Sequence, residues 1–353
     1  MNNHKNFSIN GFGRIGRLAL RIWYLHHRQH ANLAAINTSG SMNLEGWLML
    51  LKHDTTYGLF PGKLDLEIHQ TKDQVSDGDP LLGYFLIDDQ YRIPVLAQRD
   101  PAKIPWKKYQ VNLVIEATGV FRTADKAKLH LHPQGAQQVL ISAPGKSDQI
   151  ITLVKGVSEK SVGEGKIFSN ASCTTNCTSP VMRVLLKEFG VQKAFLTTIH
   201  AYTDDQRLQD GSHRDLRRAR AAAQNIVPTT TGAAKATSQV LPDLQNKFSG
   251  LAIRIPVITG SLSDITALLS RPTTVETLNQ AFIHASQTYL KNILAVTDEP
   301  LVSSDIIGRS ESAIVDLSLT EVVDGNLVKV IAWYDNEWGF TNRLLEMTVS
   351  LLQ

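Results

Sequence analysis

Phe7-Ser8-Ile9-Asn10-Gly11-Phe12-Gly13-Arg14-Ile15-Gly16 is the stretch that decides the fold. Phe7 to Asn10 reads as a short buried strand. A GxGxxG loop follows at once, and then an apolar helical run through Leu18, Leu20, Ile22 and Trp23. Asn32-Leu33-Ala34-Ala35-Ile36 reads as the next strand. A lone GxGxxG is a weak signal. Strand, glycine loop, helix and strand within roughly 30 residues is the setting that a dinucleotide fingerprint requires. Gly11 permits the tight turn, Gly13 lets the backbone approach a pyrophosphate, and Gly16 lets the helix pack on the strand. The pyrophosphate then rests on the helix N-terminus.

Further strands fit Val111 to Ile115 and Gln138 to Ile141. They end in Glu116-Ala117-Thr118-Gly119 and Ser142-Ala143-Pro144-Gly145. Small residues at strand C-termini line the ligand crevice of a doubly wound sheet, so Thr118, Gly119 and Ser142 join the candidate cofactor residues. One expected residue is missing. The second strand of an NAD site ordinarily ends in an acid that binds the ribose 2′-hydroxyl. Here it runs into Asn37-Thr38-Ser39-Gly40-Ser41, with no carboxylate before Glu45. A 2′-phosphate is not repelled there, which points to NADP or to dual use. The other reading keeps NAD, with Thr38 bonding the ribose hydroxyl.

The second half carries a different chemistry. Ser169-Asn170-Ala171-Ser172-Cys173-Thr174-Thr175-Asn176-Cys177 holds both cysteines of the chain. A helix-compatible run follows from Ser179 to Leu186. A thiol at a helix N-terminus meets unpaired N–H groups and the positive end of the dipole, which favours thiolate. Cys173 is therefore expected to attack an electrophile. His200 ends a strand-like segment, Ala194 to Ile199, and is a candidate general base. With 11 histidines in the chain, an ordinary core or surface role is the competing reading. Ser212-His213-Arg214-Asp215-Leu216-Arg217-Arg218-Ala219-Arg220 is basic. It reads as a solvated helix face, a nucleic-acid patch or a phosphate site, since Arg suits bidentate oxyanion contacts. Thr229-Thr230-Thr231-Gly232-Ala233-Ala234-Lys235 offers hydroxyls and a glycine ahead of a helix, a plausible anion site. Strand-like segments at 250–255, 264–269 and 327–333, with a helix from Val275 to Leu290, give an α+β domain. Its sheet is mixed and mainly antiparallel, with helices on one face.

Composition sets the bounds. The 353 residues exceed one ordinary core and suggest two domains. The 42% hydrophobic and 20% charged content is that of a globular protein. A net charge of +3 is too weak to argue for a nucleic-acid or membrane partner. Two cysteines four residues apart make no disulfide framework, which suits a reducing cytoplasm. Met1 to Asn6 lacks a leader-like apolar core, and no apolar run reaches the ~18 to 20 residues that span a bilayer. No residue is assigned to a metal.

Six motifs occur in order: NGFGRIGR from Asn10, SNASCTTNC from Ser169, HAYT from His200, DLRRARAAA from Asp215, TTTGAAK from Thr229 and YDNEWG from Tyr334. Together they resemble the phosphorylating glyceraldehyde-3-phosphate dehydrogenases, from about residue 7 to the C-terminus. The resemblance implies a doubly wound Rossmann domain at 1–172 and 337–353 and a catalytic domain at 173–336. It implies that Cys173 adds to an aldehyde, that His200 removes the hydroxyl proton during oxidation, and that inorganic phosphate cleaves the thioester. Ser172, Thr174, Thr231 and Gly232 would hold the attacking phosphate. Thr203, Asp205 and Arg254 would hold the substrate's C3 phosphate, with Arg218 near both. Phe12, Arg14 and Ile15 would place the cofactor, and Asn336 would orient its carboxamide. The resemblance also implies a homotetramer, with the loop from Tyr202 to Gln224 at a subunit interface.

The chain departs from that pattern in informative places. NAD-using members carry Asp where Thr38 stands, and Leu-Pro where Gly211-Ser212 stands. NADP-accepting members are similar to this chain at Ser212 and in a hydroxyl at Ser39, although they generally keep the Asp, and Arg99 matches an arginine that reaches a 2′-phosphate. The expectation is NADP preference or dual use of NAD and NADP. Gluconeogenic bacterial paralogues also lack the Asp, so flux toward the aldehyde is open. Phe340 replaces a common Tyr. The rivals are erythrose-4-phosphate dehydrogenase and a nucleic-acid role of the Arg-rich loop.

Overall fold

The computed structural model describes residues 5–158 and 165–353. The N-terminal reading of Met1 to His4 lies outside them. The chain forms two compact units. One takes the chain to Leu153, returns up to Ala171, and closes with Thr341–Gln353. The other takes the short segment from Val154 and then Ser172–Phe340.

Among the described residues, the first unit is built on a nine-stranded sheet. Its strands are β1 (Asn6–Asn10), β2 (Asn32–Thr38), β3 (Leu64–Ile68), β4 (Leu81–Ile87), β5 (Tyr91–Ala97), β6 (Leu113–Glu116), β7 (Gln138–Ile141), β8 (Ile151–Thr152) and β9 (Ile167–Ser169). The order is β8-β9-β7-β6-β1-β2-β5-β4-β3. From β8 to β5 every pairing is parallel, and β5, β4 and β3 close one edge as an antiparallel meander. Ile9 faces Ile36 on one side and Ile115 on the other. All four residues of β6 are buried, as a parallel strand covered on both faces requires. The strand order reverses at β1, so the carboxyl ends of β1, β2 and β6 open a switch-point crevice.

Helix α1 (Arg14–Ile22) starts from Gly13 as its N-cap. Gly11 sits at φ +95, and a Cβ there would stand 2.8 Å from the Thr118 nitrogen. A Cβ on Gly16 would stand 2.0 Å from the Gly11 carbonyl oxygen. Both glycines are therefore demanded by close backbone packing. A Cβ on Gly13 would meet nothing within 4 Å. That open face above a helix N-terminus is the approach a dinucleotide needs.

The second unit is built on an eight-stranded mixed sheet, again among the described residues. Its strands are β10 (Val191–Ala201), β11 (Val227–Thr230), β12 (Phe248–Ile255), β13 (Ser261–Leu269), β14 (Leu294–Thr297), β15 (Ala313–Asp316), β16 (Glu321–Val323) and β17 (Leu327–Tyr334). The order is β11-β12-β10-β13-β17-β15-β14, with β16 beside β17. Two pairings are parallel, β10 with β12 and β14 with β15, and the rest are antiparallel. Every second residue of β13 is buried, from Ser261 to Leu269. That period of two marks a sheet with one face in the core. The core holds Val181, Leu185, Leu196, Ile265, Phe282 and Val330, contributed by the sheet and by helices at 173–189 and 275–287.

Candidate active site

Helix α2 (Cys173–Phe189) begins at the cysteine itself, so the thiol stands at a helix N-terminus as expected, and the helix takes in the run from Ser179. Ser172 is the reason. It lies in extended backbone, and its hydroxyl accepts the Thr175 N–H at 3.1 Å. This is an N-cap, so Cys173 is the first helical residue. Ala171, just before the cap, is held at φ +56 in the left-handed region. The strained turn and the cap together fix where the sulfur emerges.

Cys173 Sγ lies 3.3 Å from His200 Nε2. His200 stands near the end of β10 and is 3% exposed. Its Nδ1 is 2.7 Å from the Ala201 carbonyl oxygen. Two acceptors at that distance would repel, so Nδ1 carries the proton. Nε2 then presents a lone pair to the thiol. Parallel pairing of β10 with β12 sets Arg254 directly beside His200. Arg254 Nη1 stands 3.0 Å from the protonated His200 Nδ1 as a neighbouring charge and not as its hydrogen-bond partner, and it donates to Ala201 O at 3.0 Å and Thr203 Oγ1 at 3.3 Å.

Burial first, and then the Arg254 cation, hold the His200 imidazole far below its ordinary value, at about 3. It is neutral in the working range and free to accept a proton. The thiol overturns the sequence expectation. Burial pushes Cys173 up, and this outweighs the Arg254 charge and the hydrogen bonds from Thr174 that pull it down. The helix N-terminus was counted correctly, but the desolvation around it was not visible. The resting pair is thiol and imidazole, with a proton ready to pass from Sγ to Nε2. Cys177 is fully buried and pushed to about 12 by burial, so it is an inert thiol of the core.

The anion residues divide. Arg218 donates from Nε to Thr229 Oγ1 at 2.9 Å and from Nη2 to Thr230 O at 3.0 Å. Its Nη1 pairs with Asp205. Asp205 was expected in the C3-phosphate site. A carboxylate repels phosphate, and here it holds the arginine that attracts one. Thr174 is 5% exposed; its side chain bonds the Cys173 sulfur, and its hydroxyl lies 2.9 Å from Tyr334 OH. Tyr334 OH also lies 2.9 Å from Thr198 Oγ1. Sequence reasoning missed Thr198 and this role of Tyr334, because the tyrosine was read only as the start of a motif. Thr231 and Gly232 do sit ahead of a helix, Ala233–Val240, with Gly232 exposed as its N-cap.

The first unit places the cofactor candidates around the crevice. Phe12 is buried against Trp47 and Phe85, so only its backbone faces the loop. Arg14 bonds Asp54 at 2.6 Å, and Ile15 is half-buried. Thr38 is 1% exposed; its hydroxyl donates to Leu96 O at 3.0 Å and accepts from Gly40 N at 3.3 Å. It therefore offers no open hydroxyl to a ribose, contrary to its place among the expected contacts. Ser39 and Arg99 are exposed, and Arg99 Nε donates to Ser39 O at 3.0 Å. Gly119 is exposed, and the Ser142 N–H donates to Glu116 O at 3.0 Å.

Two candidates belong to the second unit. Ser212 is exposed, and its carbonyl accepts Arg207 Nε at 2.8 Å. Asn336 has its amide oxygen bound by Ser261 Oγ at 2.8 Å, Gly260 N at 3.2 Å and Thr259 Oγ1 at 3.3 Å. The oxygen is fully committed, so the NH2 group is what remains to donate to a carboxamide. The bare Gly13 backbone at a helix N-terminus fits the pyrophosphate of a dinucleotide.

Comparison with known proteins agrees. Residues 5–124 match the family model described as "Glyceraldehyde 3-phosphate dehydrogenase, NAD binding domain". Residues 172–336 match "Glyceraldehyde 3-phosphate dehydrogenase, C-terminal domain". The chain is 46% identical over 343 residues to glyceraldehyde-3-phosphate dehydrogenase 2 of Streptomyces avermitilis, covering 97% of this chain and 96% of that protein. It is 46% identical over 342 residues to the chloroplastic glyceraldehyde-3-phosphate dehydrogenase A of Chlamydomonas reinhardtii, covering 96% and 87%. The enzyme of Mycobacterium avium is also 46% identical over 342 residues, covering 96% of each chain.

Proposed function

Because the chain belongs to the glyceraldehyde-3-phosphate dehydrogenase family, we propose that its Cys173 and His200 are the nucleophile and base of that reaction. The protein is an NAD(P)-dependent oxidoreductase acting on an aldehyde. It converts glyceraldehyde 3-phosphate and inorganic phosphate to the acyl phosphate. The observation that carries the assignment of roles is the 3.3 Å contact between Sγ and a buried, neutral imidazole.

The proton account is simple. Sγ adds to the aldehyde carbon as its proton passes to His200 Nε2, and His200 returns that proton to the oxyanion. A hemithioacetal results. His200 then removes the hydroxyl proton as the carbon is oxidised to a thioester. The bound nicotinamide supplies the hydride acceptor. Phosphate attacks the thioester and gives up its own proton to water, and the sulfur leaves and recovers its proton from His200. Arg254 and Thr203 hold the C3 phosphate in this reading. Ser172, Thr231, Gly232 and Arg218 hold the attacking phosphate, with Asp205 fixing Arg218.

Gly11, Gly13, Gly16, Arg14 and Ile15 would seat the dinucleotide on the first unit, with Thr118, Gly119 and Ser142 along the crevice. Asn336 would orient its carboxamide. The unit that closes with Thr341–Gln353 serves as the nucleotide domain, and the unit of Ser172–Phe340, set one residue earlier and four later than the sequence bounds, as the catalytic domain. We assign the cofactor preference to NADP, or to dual use. Support comes from the missing acid at Thr38 and from the exposed Ser39 and Arg99. A cytoplasmic homotetramer completes the reading. Leu208, Leu216 and Ile226 in and beside the 202–224 loop are strongly exposed, as an unpaired interface would leave them. The missing acid also admits gluconeogenic flux. Neither erythrose 4-phosphate oxidation nor nucleic-acid binding is favoured.

One spectrophotometric assay tests the proposal. Glyceraldehyde 3-phosphate with NAD or NADP should give phosphate-dependent reduction, and Cys173→Ser should abolish it. Full activity in that variant would overturn the assignment. A Michaelis constant favouring NAD by about tenfold or more, a difference near 1.4 kcal/mol, would overturn the cofactor preference.

A further inference from the structure

Glu116 ends β6 and is 1% exposed. One carboxylate oxygen accepts from Asn10 Nδ2 at 2.5 Å and lies 3.0 Å from His130 Nε2. The other accepts the Thr118 N–H at 2.8 Å and the Thr118 hydroxyl. His130 is itself fully buried, and Trp106 Nε1 donates to its Nδ1 at 3.1 Å. An indole nitrogen only donates, so Nδ1 holds a lone pair and the proton is on Nε2. His130 Nε2 therefore donates to Glu116. All four groups around the carboxylate give hydrogen.

Those donors lead to the rims of the crevice. Asn10 is the residue before Gly11, and Thr118 is the residue before Gly119. Asn10 Oδ1 accepts Asn37 Nδ2 at 2.7 Å. Asn37 also donates to Gln98 O at 2.8 Å and accepts Gln98 N–H at 3.0 Å, which ties in the ends of β2 and β5. The next residues along, Thr38-Ser39 and Arg99, form the ribose corner.

We propose that Glu116 is the positioning residue of the cofactor site. This buried anion sets the glycine loop, the 118–119 loop and, through Asn10 and Asn37, the ribose corner as one frame. The inference rests on the reading that the Gly11–Gly16 loop seats the dinucleotide. A neutral amide of the same shape cannot replace the carboxylate. Its NH2 must face either the Thr118 donors or Asn10 and His130, and either choice sets donor against donor and releases one rim.

The test compares Glu116→Gln, Trp106→Phe and Gly13→Val in the full-length protein. Cofactor affinity is read by fluorescence titration with NAD and NADP, alongside kcat, KM and thermal unfolding. Glu116→Gln should weaken both cofactors about tenfold or more, the scale of one charge-assisted bond, with kcat at saturation little changed. Trp106→Phe removes the outer bond but keeps every donor to the anion, so it should lower the unfolding temperature and leave affinity alone. Unchanged affinity in Glu116→Gln, or equal weakening in Trp106→Phe, overturns the proposal. If Glu116→Gln does not fold, Asn10→Ser cuts the same frame on one side, and unchanged affinity there overturns it equally. Gly13→Val checks the underlying reading separately. If it binds cofactor like the wild type, the loop is not the seat; if it alone loses affinity, only the role of Glu116 falls.

Discussion

Replacing Arg254 with Gln should make His200 a stronger base. The guanidinium stands 3.0 Å from His200 Nδ1. Two unit charges about 4 Å apart at an effective dielectric near 20 interact by roughly 4 kcal/mol, or about 3 pK units. Arg254 is half-buried, and water on its open side screens part of that. About 1 to 1.5 units of effect is the expectation at this site. Burial is the larger cause of the low value and survives the substitution. His200 should therefore climb from about 3 to roughly 4 to 4.5 and stay below an ordinary histidine. Carbon-13 labelled histidine, titrated by NMR in a Cys173→Ser background and assigned with His200→Gln, reads this directly. A His200 value that stays put or falls when the charge is removed would refute the electrostatic account. The same reasoning extends to substrate. A C3 phosphate on Arg254 neutralises the cation much as the substitution does, so substrate binding should itself strengthen the base. Unphosphorylated glyceraldehyde should then lose kcat as well as affinity, and equal kcat for the two aldehydes would count against it.

Tyr334→Phe removes a hydroxyl lying 2.9 Å from both Thr174 and Thr198. Thr198 keeps Leu262 O at 3.2 Å and Thr174 keeps its side-chain bond to the Cys173 sulfur, so urea unfolding should show a loss of about 1 kcal/mol. No measurable loss would mean that the hydroxyl cluster is not a stabilising network. Acid stability follows His200. Its folded value is depressed to about 3 from 6.5, so the unfolded state takes up the proton first and stability falls as pH drops below 6.5. Between pH 7 and pH 5 this term should remove about 2 kcal/mol, and His200→Gln should flatten that part of the curve. An identical acid limb in wild type and variant would contradict it. Ser39→Asp places an acid at the exposed ribose corner. It should shift the ratio of kcat/KM values from NADP toward NAD by about a hundredfold, near 2.7 kcal/mol, and an unchanged ratio would show that selectivity lies elsewhere.

The features legible in the sequence are those set by neighbours along the chain. Gly11 and Gly16 betray the dinucleotide loop because their constraint is local backbone packing, and β1, β2 and β6 are legible because buried parallel strands are short apolar runs. Ser172 was within reach of the same logic, since a hydroxyl three residues before a backbone N–H is a cap. What stayed hidden depends on groups brought from far along the chain. The thiol of Cys173 is raised by desolvation and opposed by Arg254, and the dipole of its own helix, the part visible in the sequence, is not what decides. Asp205 reads as an acid misplaced in an anion site until Arg218 is seen beside it. The absence of an acid at Thr38 was plain, but the inward turn of its hydroxyl to Leu96 was not. Glu116 is the extreme case, because its donors come from Asn10, Thr118 and His130, and in the sequence it is only the last residue of a strand. In each of these four cases a charge or hydroxyl was read from its residue type, while its role was set by partners across the fold. A buried polar group has no role until its partners are known, since unpaired it is a penalty and paired it becomes a fixed point. The electrostatic design of this enzyme lies in two such fixed points, Arg254 beside the base and Glu116 beneath the cofactor loops, and neither is recoverable from a motif.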